Sequence, residues 1–256
     1  MGIDETGLFI TPEHTSPKFY IKHLYPYYLV KRNAGNRVIL DIGSGDGYGS
    51  SYLAEEADRV IGIDCEEKSV EYARNKYTGD NLNFELMDAT SLTFRDETFD
   101  IVCSFQMIEH VKEDMLLKYL SEISRVLKPS GVFYVSTLNR DLAMKPGQPY
   151  DKNPYHEEEF NAAELRELLL KVFPEVEMSG LHPSAKHRFF QRVKKTGLFK
   201  LFPEHLNPVE RFYESITLQD FRISKKNLEK ALDLICICHK ELGASSRSRK
   251  MRKLSG

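Results

Sequence analysis

The chain has 256 residues, 41% of them hydrophobic, enough for one well-packed domain with additions. Its 36 Lys and Arg against 38 Asp and Glu leave a net charge of −2, which argues against a nucleic-acid partner held by a global basic field. No apolar run approaches the roughly 18 residues of a membrane span, the acidic start lacks the pattern of a secretory signal, and four cysteines (Cys65, Cys103, Cys236, Cys238) are too few for a disulfide scaffold, so a cytoplasmic setting is expected.

Residues 1–35 form an arm rich in Tyr, Lys and Pro. Its Tyr20, His23, Tyr25, Tyr27 and Tyr28 could cover a ligand or pack as a helix on a sheet. RVILDIG (37–43) predicts a buried strand closed by turn residues, with the helical stretch YGSSYLAEEA after it. RVIGID (59–64) predicts a second strand, EKSVEYARNKY a charged amphipathic helix, and NLNFELMDA a third strand. FDIVCSFQ (99–106) is a fourth. If a helix follows at once, Gln106, Glu109 and His110 lie at i, i+3, i+4 and share one face.

MLLKYLSEISRVLK places Leu116, Leu117, Leu120, Ile123 and Val126 at helical spacing. PSG breaks that helix, and VFYVSTL is a fifth strand. NAAELRELLLKVF is a helix capped by Asn161, and EVEMSGL and ALDLICICH are the last two strands. Cys236 and Cys238 share one face of the final strand and read as core. A long insertion, 182–230, separates the last two strands; its basic, aromatic stretch 186–195 reads as an amphipathic helix or as a clamp for an acidic group. The tail 241–256 is basic and expected to be disordered. This alternation predicts an α/β fold, a mostly parallel sheet with helices on both faces, over residues 36–240.

LDIGSGDGYGS joins the first strand to the first helix after it. Gly43, Gly45 and Gly47 let the chain turn tightly and a ligand approach the main chain. Tyr48 fills the sixth position of the dinucleotide fingerprint, which biases the loop away from a pyrophosphate. Asp41, just before the first glycine, suits a loop ordered around a cationic amino-acid group. Asp64 ends the second strand, where a carboxylate can accept both ribose hydroxyls of an adenosine, and Asp88 ends the third, where it can accept from an adenine amino group.

VILDIGSGDG, VIGIDCEEKSVEYAR, LMDATSLTFRDETFDIVCSFQMIEHV and ISRVLKPSGVFYVSTLNR together resemble the class I S-adenosylmethionine (SAM) methyltransferases. The resemblance implies a Rossmann-like sheet of seven strands with the last antiparallel. It also implies that Asp41, Gly43 and Gly45 hold the methionine part of SAM, Asp64 the ribose, and Asp88 with Ala89 the adenine, with Phe105 and Gln106 beside the methyl group and Ser44 and Cys65 among the cofactor-binding residues.

The run FQMIEH, with STLNR (136–140), NPYH (153–156) and TPEHTSP (11–17), is similar to bacterial sugar O-methyltransferases, especially those of mycobacterial methylated polysaccharides. That likeness implies a hydroxylated small-molecule or saccharide acceptor, with the insertion on the acceptor side, and a homodimer, since similar enzymes commonly dimerise. A sugar hydroxyl needs a base near neutral pH, and His156 is expected to supply it.

Glu109 and His110 have three readings. They can bind a divalent cation such as Mg²⁺, as E-x-x-E-H runs do in ubiquinone-pathway and small-RNA methyltransferases; they can contact substrate; or they can serve structure alone. Gln106 in place of the first glutamate weakens the metal reading, because Mg²⁺ favours carboxylate oxygens. Methylation of an RNA 3′-terminal ribose, and SAM binding without catalysis, are the alternative functions.

Overall fold

The computed structural model describes residues 15–144, 150, 152–197 and 208–241. The basic tail beyond residue 241 and the first 14 residues of the arm, with most of TPEHTSP, lie outside them. One sheet organises the chain. Its strands are β1 (Val38–Ile42), β2 (Arg59–Asp64), β3 (Leu82–Leu86), β4 (Phe99–Phe105), β5 (Leu127–Leu138), β6 (Glu175–Pro183), β7 (Phe221–Ser224) and β8 (Asp233–His239), in the order β3-β2-β1-β4-β5-β8-β6-β7.

β1 to β5 pair in parallel. β8 runs antiparallel between β5 and β6. The mixed sheet with its antiparallel strand inserted beside β5 is as expected, but the strand count is eight and not seven. The additional strand, β7, comes from the 182–230 insertion and pairs antiparallel with the edge of β6. Phe221 at its start packs with Leu181, Ile216, Ile235 and Tyr25, which draws the segment onto the sheet. PSG, expected only to end a helix, lies inside β5, where the pairing with β4 shifts register between Phe99 and Ile101.

β1 and β4 are almost wholly buried, and so is the second half of β5, as parallel strands covered on both faces must be. On one face α4 (Leu116–Val126) and α6 (Ala162–Leu170) set Tyr119, Leu120, Ile123, Leu165 and Leu169 against Val102, Phe133 and Val135. α6 starts where Asn161 accepts from the Ala163 and Glu164 amides and Glu164 answers onto the Asn161 amide, a reciprocal cap. On the other face α1 (Pro17–Lys31) and α2 (Tyr48–Ala54) bring Leu24, Tyr27, Val30 and Leu53 against Ile39, Ile101 and Cys103. α3 (Glu67–Lys76) packs Val70 and Ala73 on Phe84 of β3. No helix among the described residues is long and apolar enough to cross a membrane.

β1 and β4 are neighbours, so the chain order reverses between them, and their carboxyl ends open a crevice at that point. The arm's helix reaches this crevice because Tyr27 lies flat over α2. A Cβ on Gly49 would stand 2.1 Å from the Tyr27 ring, so only glycine permits the contact. Gly49→Ala should therefore push α1 off α2, destabilising the chain by about 2 kcal/mol, the scale of overpacking. That corresponds to a melting temperature lower by about 4–8 °C in scanning calorimetry. An unchanged melting temperature would show that Tyr27 can give way freely.

Candidate active site

The loop leaving β1 turns through three left-handed glycines, Gly43 (φ 72°), Gly45 (φ 53°) and Gly47 (φ 89°). Such angles cost a residue with a side chain, and space is short as well, since a Cβ on Gly43 would sit 2.8 Å from Met107 Cγ. The loop is tied to β2: the Gly43 and Ser44 amides both donate to the Ile63 carbonyl at 2.9 Å. Asp64 Oδ2 accepts from the Gly45 amide at 2.9 Å, and Oδ1 from the Glu66 amide at 2.9 Å. Each Asp64 oxygen keeps a lone pair for a ligand hydroxyl.

The loop roofs one end of a cleft of about 770 Å³, of the size that takes a nucleoside-bearing ligand. Nine of the ten predicted cofactor residues line it, namely Gly43, Ser44, Gly45, Asp64, Cys65, Asp88, Ala89, Phe105 and Gln106. Ser44 Oγ is buried here without a hydrogen-bond partner. Asp88 uses Oδ1 to accept from the amide and hydroxyl of Thr90.

Asp41 is the exception and does not line the cleft. Its carboxylate is sealed beneath the loop, accepting from Ser50 Oγ at 2.6 Å, the Tyr27 hydroxyl at 3.2 Å and Cys103 Sγ at 3.4 Å. Burial raises it to about 6, against those three donors, which pull it down. In this arrangement its carboxylate ties together the elements that frame the cleft.

The segment after β4 departs from the expected helix. Gln106 takes a left-handed φ of 54°, and two separate 3₁₀ turns, Ile108–His110 and Glu113–Met115, stand between it and α4. Gln106, Glu109 and His110 therefore do not share a face. Gln106 lines the cleft, and its amide group donates to Ser136 Oγ at 3.3 Å. Glu109 turns away and is 1% exposed, near Thr137, Asp233 and Lys22. Burial raises its carboxyl to about 7. Its main-chain carbonyl accepts from the Glu157 and Glu158 amides at 2.8 and 3.2 Å, which pulls the NPYH loop against the turn.

His110 does line the cleft. Its Nδ1 lies 2.9 Å from the Tyr155 carbonyl, which can only accept, so the network assigns the proton to Nδ1 and leaves Nε2 bare. His156 is not among the cleft residues; its ring packs edge-on to His110, centroids 4.9 Å apart at 87°. Both its nitrogens are engaged, Nδ1 with Glu159 Oε1 at 2.5 Å and Nε2 with the Asn153 amide at 3.2 Å. Burial, then the neighbouring His110 and Lys152, lower His156 to about 4 and keep it neutral.

The expected Mg²⁺ ligands fit poorly. Glu109 is buried away from the cleft while His110 faces it, and the described residues hold no cluster of three His, Cys, Asp or Glu side chains suited to a metal. No step below is routed through a metal.

Two cleft residues from the arm, His23 and Tyr27, complete the wall. Among the arm's aromatic residues these two reach the cleft, whereas Tyr25 packs against Phe221 on the far side. The signal was their spacing: Phe19, His23 and Tyr27 recur every four residues. α1 is anchored by an ion pair from Lys22 to Asp233 at the start of β8, 2.9 Å long, with Asp233 1% exposed.

The family described as methyltransferase domain matches residues 40–135. A probable SAM-dependent methyltransferase of Mycolicibacterium smegmatis is 36% identical over 178 residues, covering 67% of each chain. One of Mycobacterium tuberculosis is 35% identical over 183 residues, 68% of this chain and 64% of that one. A ubiquinone biosynthesis O-methyltransferase of Rhizobium rhizogenes is 33% identical over 106 residues, 41% of this chain and 42% of that enzyme. A crystal structure of a SAM-dependent methyltransferase from Thermotoga maritima, a possible histamine N-methyltransferase, superposes with a TM-score of 0.60 at 19% identity, covering 88% of this chain and 91% of that one, a likeness of fold alone.

The raised Glu109 carboxyl makes a stability prediction. It titrates at about 7 in the folded chain against 4.5 ordinarily, so the folded state binds this proton more tightly and the site's contribution to stability falls as pH rises from 4.5 to 7. Glu109→Gln should remove that slope, gaining stability over wild type at pH 8 and gaining none at pH 4.5. Urea denaturation at the two pH values reads the difference. An identical pH slope in both proteins would mean that Glu109 is ionised in the native chain.

Proposed function

Because the chain belongs to the SAM-dependent methyltransferases, we propose that it is an O-methyltransferase acting on a hydroxyl of a sugar or another hydroxylated small molecule. Bound SAM supplies an already electrophilic methyl group. What the protein must add is alignment of the acceptor and removal of its proton. The residues suit that cofactor: the unpartnered Ser44 Oγ and the glycine main chain for its amino-acid end, Asp64 for ribose hydroxyls, and Asp88 and Ala89 for adenine.

The observation that carries the acceptor side is the bare Nε2 of His110 on the wall of the cleft that Phe105 and Gln106 also line. In this reading it takes the proton of the hydroxyl, and the Tyr155 carbonyl, bonded to Nδ1–H, stabilises the imidazolium that forms. His156 was the expected base, but with both nitrogens engaged and its ring off the cleft it becomes the support against which His110 is oriented. Glu159 in turn fixes His156.

The cleft also carries Asp46, Asp64, Asp88 and Asp114 against the single lysine Lys112, which disfavours a phosphate-rich RNA end. The likeness to the ubiquinone-pathway O-methyltransferase supports oxygen as the acceptor atom. A cytoplasmic setting belongs to the same proposal, in keeping with four free cysteines. Dimerisation rests on likeness, and sedimentation of the purified chain reads it directly.

Transfer of labelled methyl from SAM to saccharides, catechols and short RNAs, each with Mg²⁺ and with chelator, tests the reading. Labelled saccharide in equal amount under both conditions is expected; labelled RNA overturns the acceptor class. His110→Ala should lower kcat by about 10²–10⁴, the range of general-base catalysis, with SAM affinity preserved. His156→Ala should cost about tenfold, the scale of losing one neutral hydrogen-bonded support. A larger loss in His156→Ala than in His110→Ala returns the base to His156.

A further inference from the structure

The cleft holds a second imidazole, and its geometry repeats that of His110. We infer that His23, on α1, is an acceptor-binding residue whose Nε2 receives a second hydroxyl of the acceptor, so that the enzyme selects acceptors with more than one hydroxyl. This rests on the O-methyltransferase reading and narrows it from alcohols in general to diols.

His23 Nδ1 lies 2.8 Å from the Phe19 carbonyl, one helical turn back. A carbonyl only accepts, so Nδ1 carries the proton and Nε2 is bare. His23 lines the cleft, and that nitrogen bonds to no described residue. The ring is 7% exposed, so its acceptor nitrogen has little bulk water to turn to and needs a donor from whatever enters. Burial, then the charge of Lys22, lowers its pKa to about 3, so the ring stays neutral across the physiological range. A ring so hard to protonate is a weak base but a steady acceptor. The division of labour follows: His110 takes a proton, and His23 receives a hydrogen bond.

Its position is held from three sides. The Phe19 ring packs on the imidazole with centroids 4.1 Å apart. The next residue back, Lys22, pairs with buried Asp233. One turn on, Tyr27 donates to Asp41 and packs edge-on to Phe105, centroids 4.7 Å apart at 89°. For packing alone a phenylalanine would serve, as it does at position 19, without stranding a nitrogen acceptor. A second imidazole acceptor in the cleft that holds the base suits a second donor hydroxyl on the substrate. An isolated alcohol leaves it unanswered, and such a site discriminates by that unpaired group.

Two measurements test this on the full chain saturated with S-adenosylhomocysteine or SAM. In the first, ¹⁵N-imidazole spectra follow His23 Nε2 while methyl α-D-mannopyranoside, catechol or cyclohexanol is added in excess. A shift of Nε2 with either diol and none with cyclohexanol is expected. No shift with any of the three, or the whole shift on adding the nucleoside alone, overturns the inference.

In the second, His23→Phe, which keeps the ring packing, should raise KM for whichever diol is methylated by about tenfold, one neutral hydrogen bond. SAM affinity should stay within twofold. His23→Gln, whose carbonyl oxygen can accept the same bond, should recover most of the loss. An unchanged KM in His23→Phe, or a loss confined to SAM affinity, overturns the inference. A diol-dependent Nε2 shift in a chain that methylates none of the hydroxyl acceptors would instead defeat the O-methyltransferase reading while leaving His23 as a diol site.

Discussion

Four elements that frame the cleft meet on one buried carboxylate. Asp41 belongs to β1; its oxygens accept from Ser50 of α2, from Tyr27 of α1 and from Cys103 of β4. A carboxylate without water is costly unless its lone pairs are filled, and here three donors fill them. The same need works in reverse on the donors: each buried hydroxyl or thiol finds its acceptor only if its element docks in register. The glycine loop is thereby stretched over a fixed support. Asp64 can then grip the Gly45 amide from the neighbouring strand. Losing this contact would cost more than a bond, because the frame that sets the cleft's width depends on it.

A second constraint acts on the acceptor side through the main chain. Glu109 contributes its carbonyl, which takes two amides from the NPYH loop, and that loop returns the Tyr155 carbonyl to His110. The side chain of Glu109 meanwhile sits in a polar pocket with Thr137, Asp233 and Lys22, where burial favours its protonated form. One residue thus links the turn after β4 to the loop before α6 and, through its surroundings, to the arm. The chemistry assigned to His110 depends on backbone geometry set by its neighbour.

What could be read from the sequence was what is local. The strands, the glycine turn, and Asp64 and Asp88 at strand ends follow from periodicity and from the edge of a parallel sheet, and each stands where expected at the cleft. The shared face at 106–110 holds only if a helix follows β4, and a single left-handed residue, Gln106, removes that condition. No propensity argument marks a glutamine for that conformation. The position of Asp41 beside the loop is legible in the sequence, whereas its donors Tyr27, Ser50 and Cys103 are set by how α1, α2 and β4 dock. β7 escaped notice because a four-residue edge strand carries too short a pattern. His23 was seen only as part of an aromatic arm, since its exposure to the cleft is decided by where α1 docks.

The ion pair between Lys22 and Asp233 closes the described fold across the cleft. The wall carrying His23 and Tyr27 lies on α1, ahead of the whole sheet, and the residue that pins it opens β8, the sheet's last strand in chain order. A contact so distant in sequence closes a long loop, whose entropy must be met before the contact rewards it. The ligand cleft therefore comes into being only when both halves of the molecule are present and joined. A ligand that binds the finished cleft adds its binding free energy to that closure, so occupancy acts as a clasp between the first helix and the final strand.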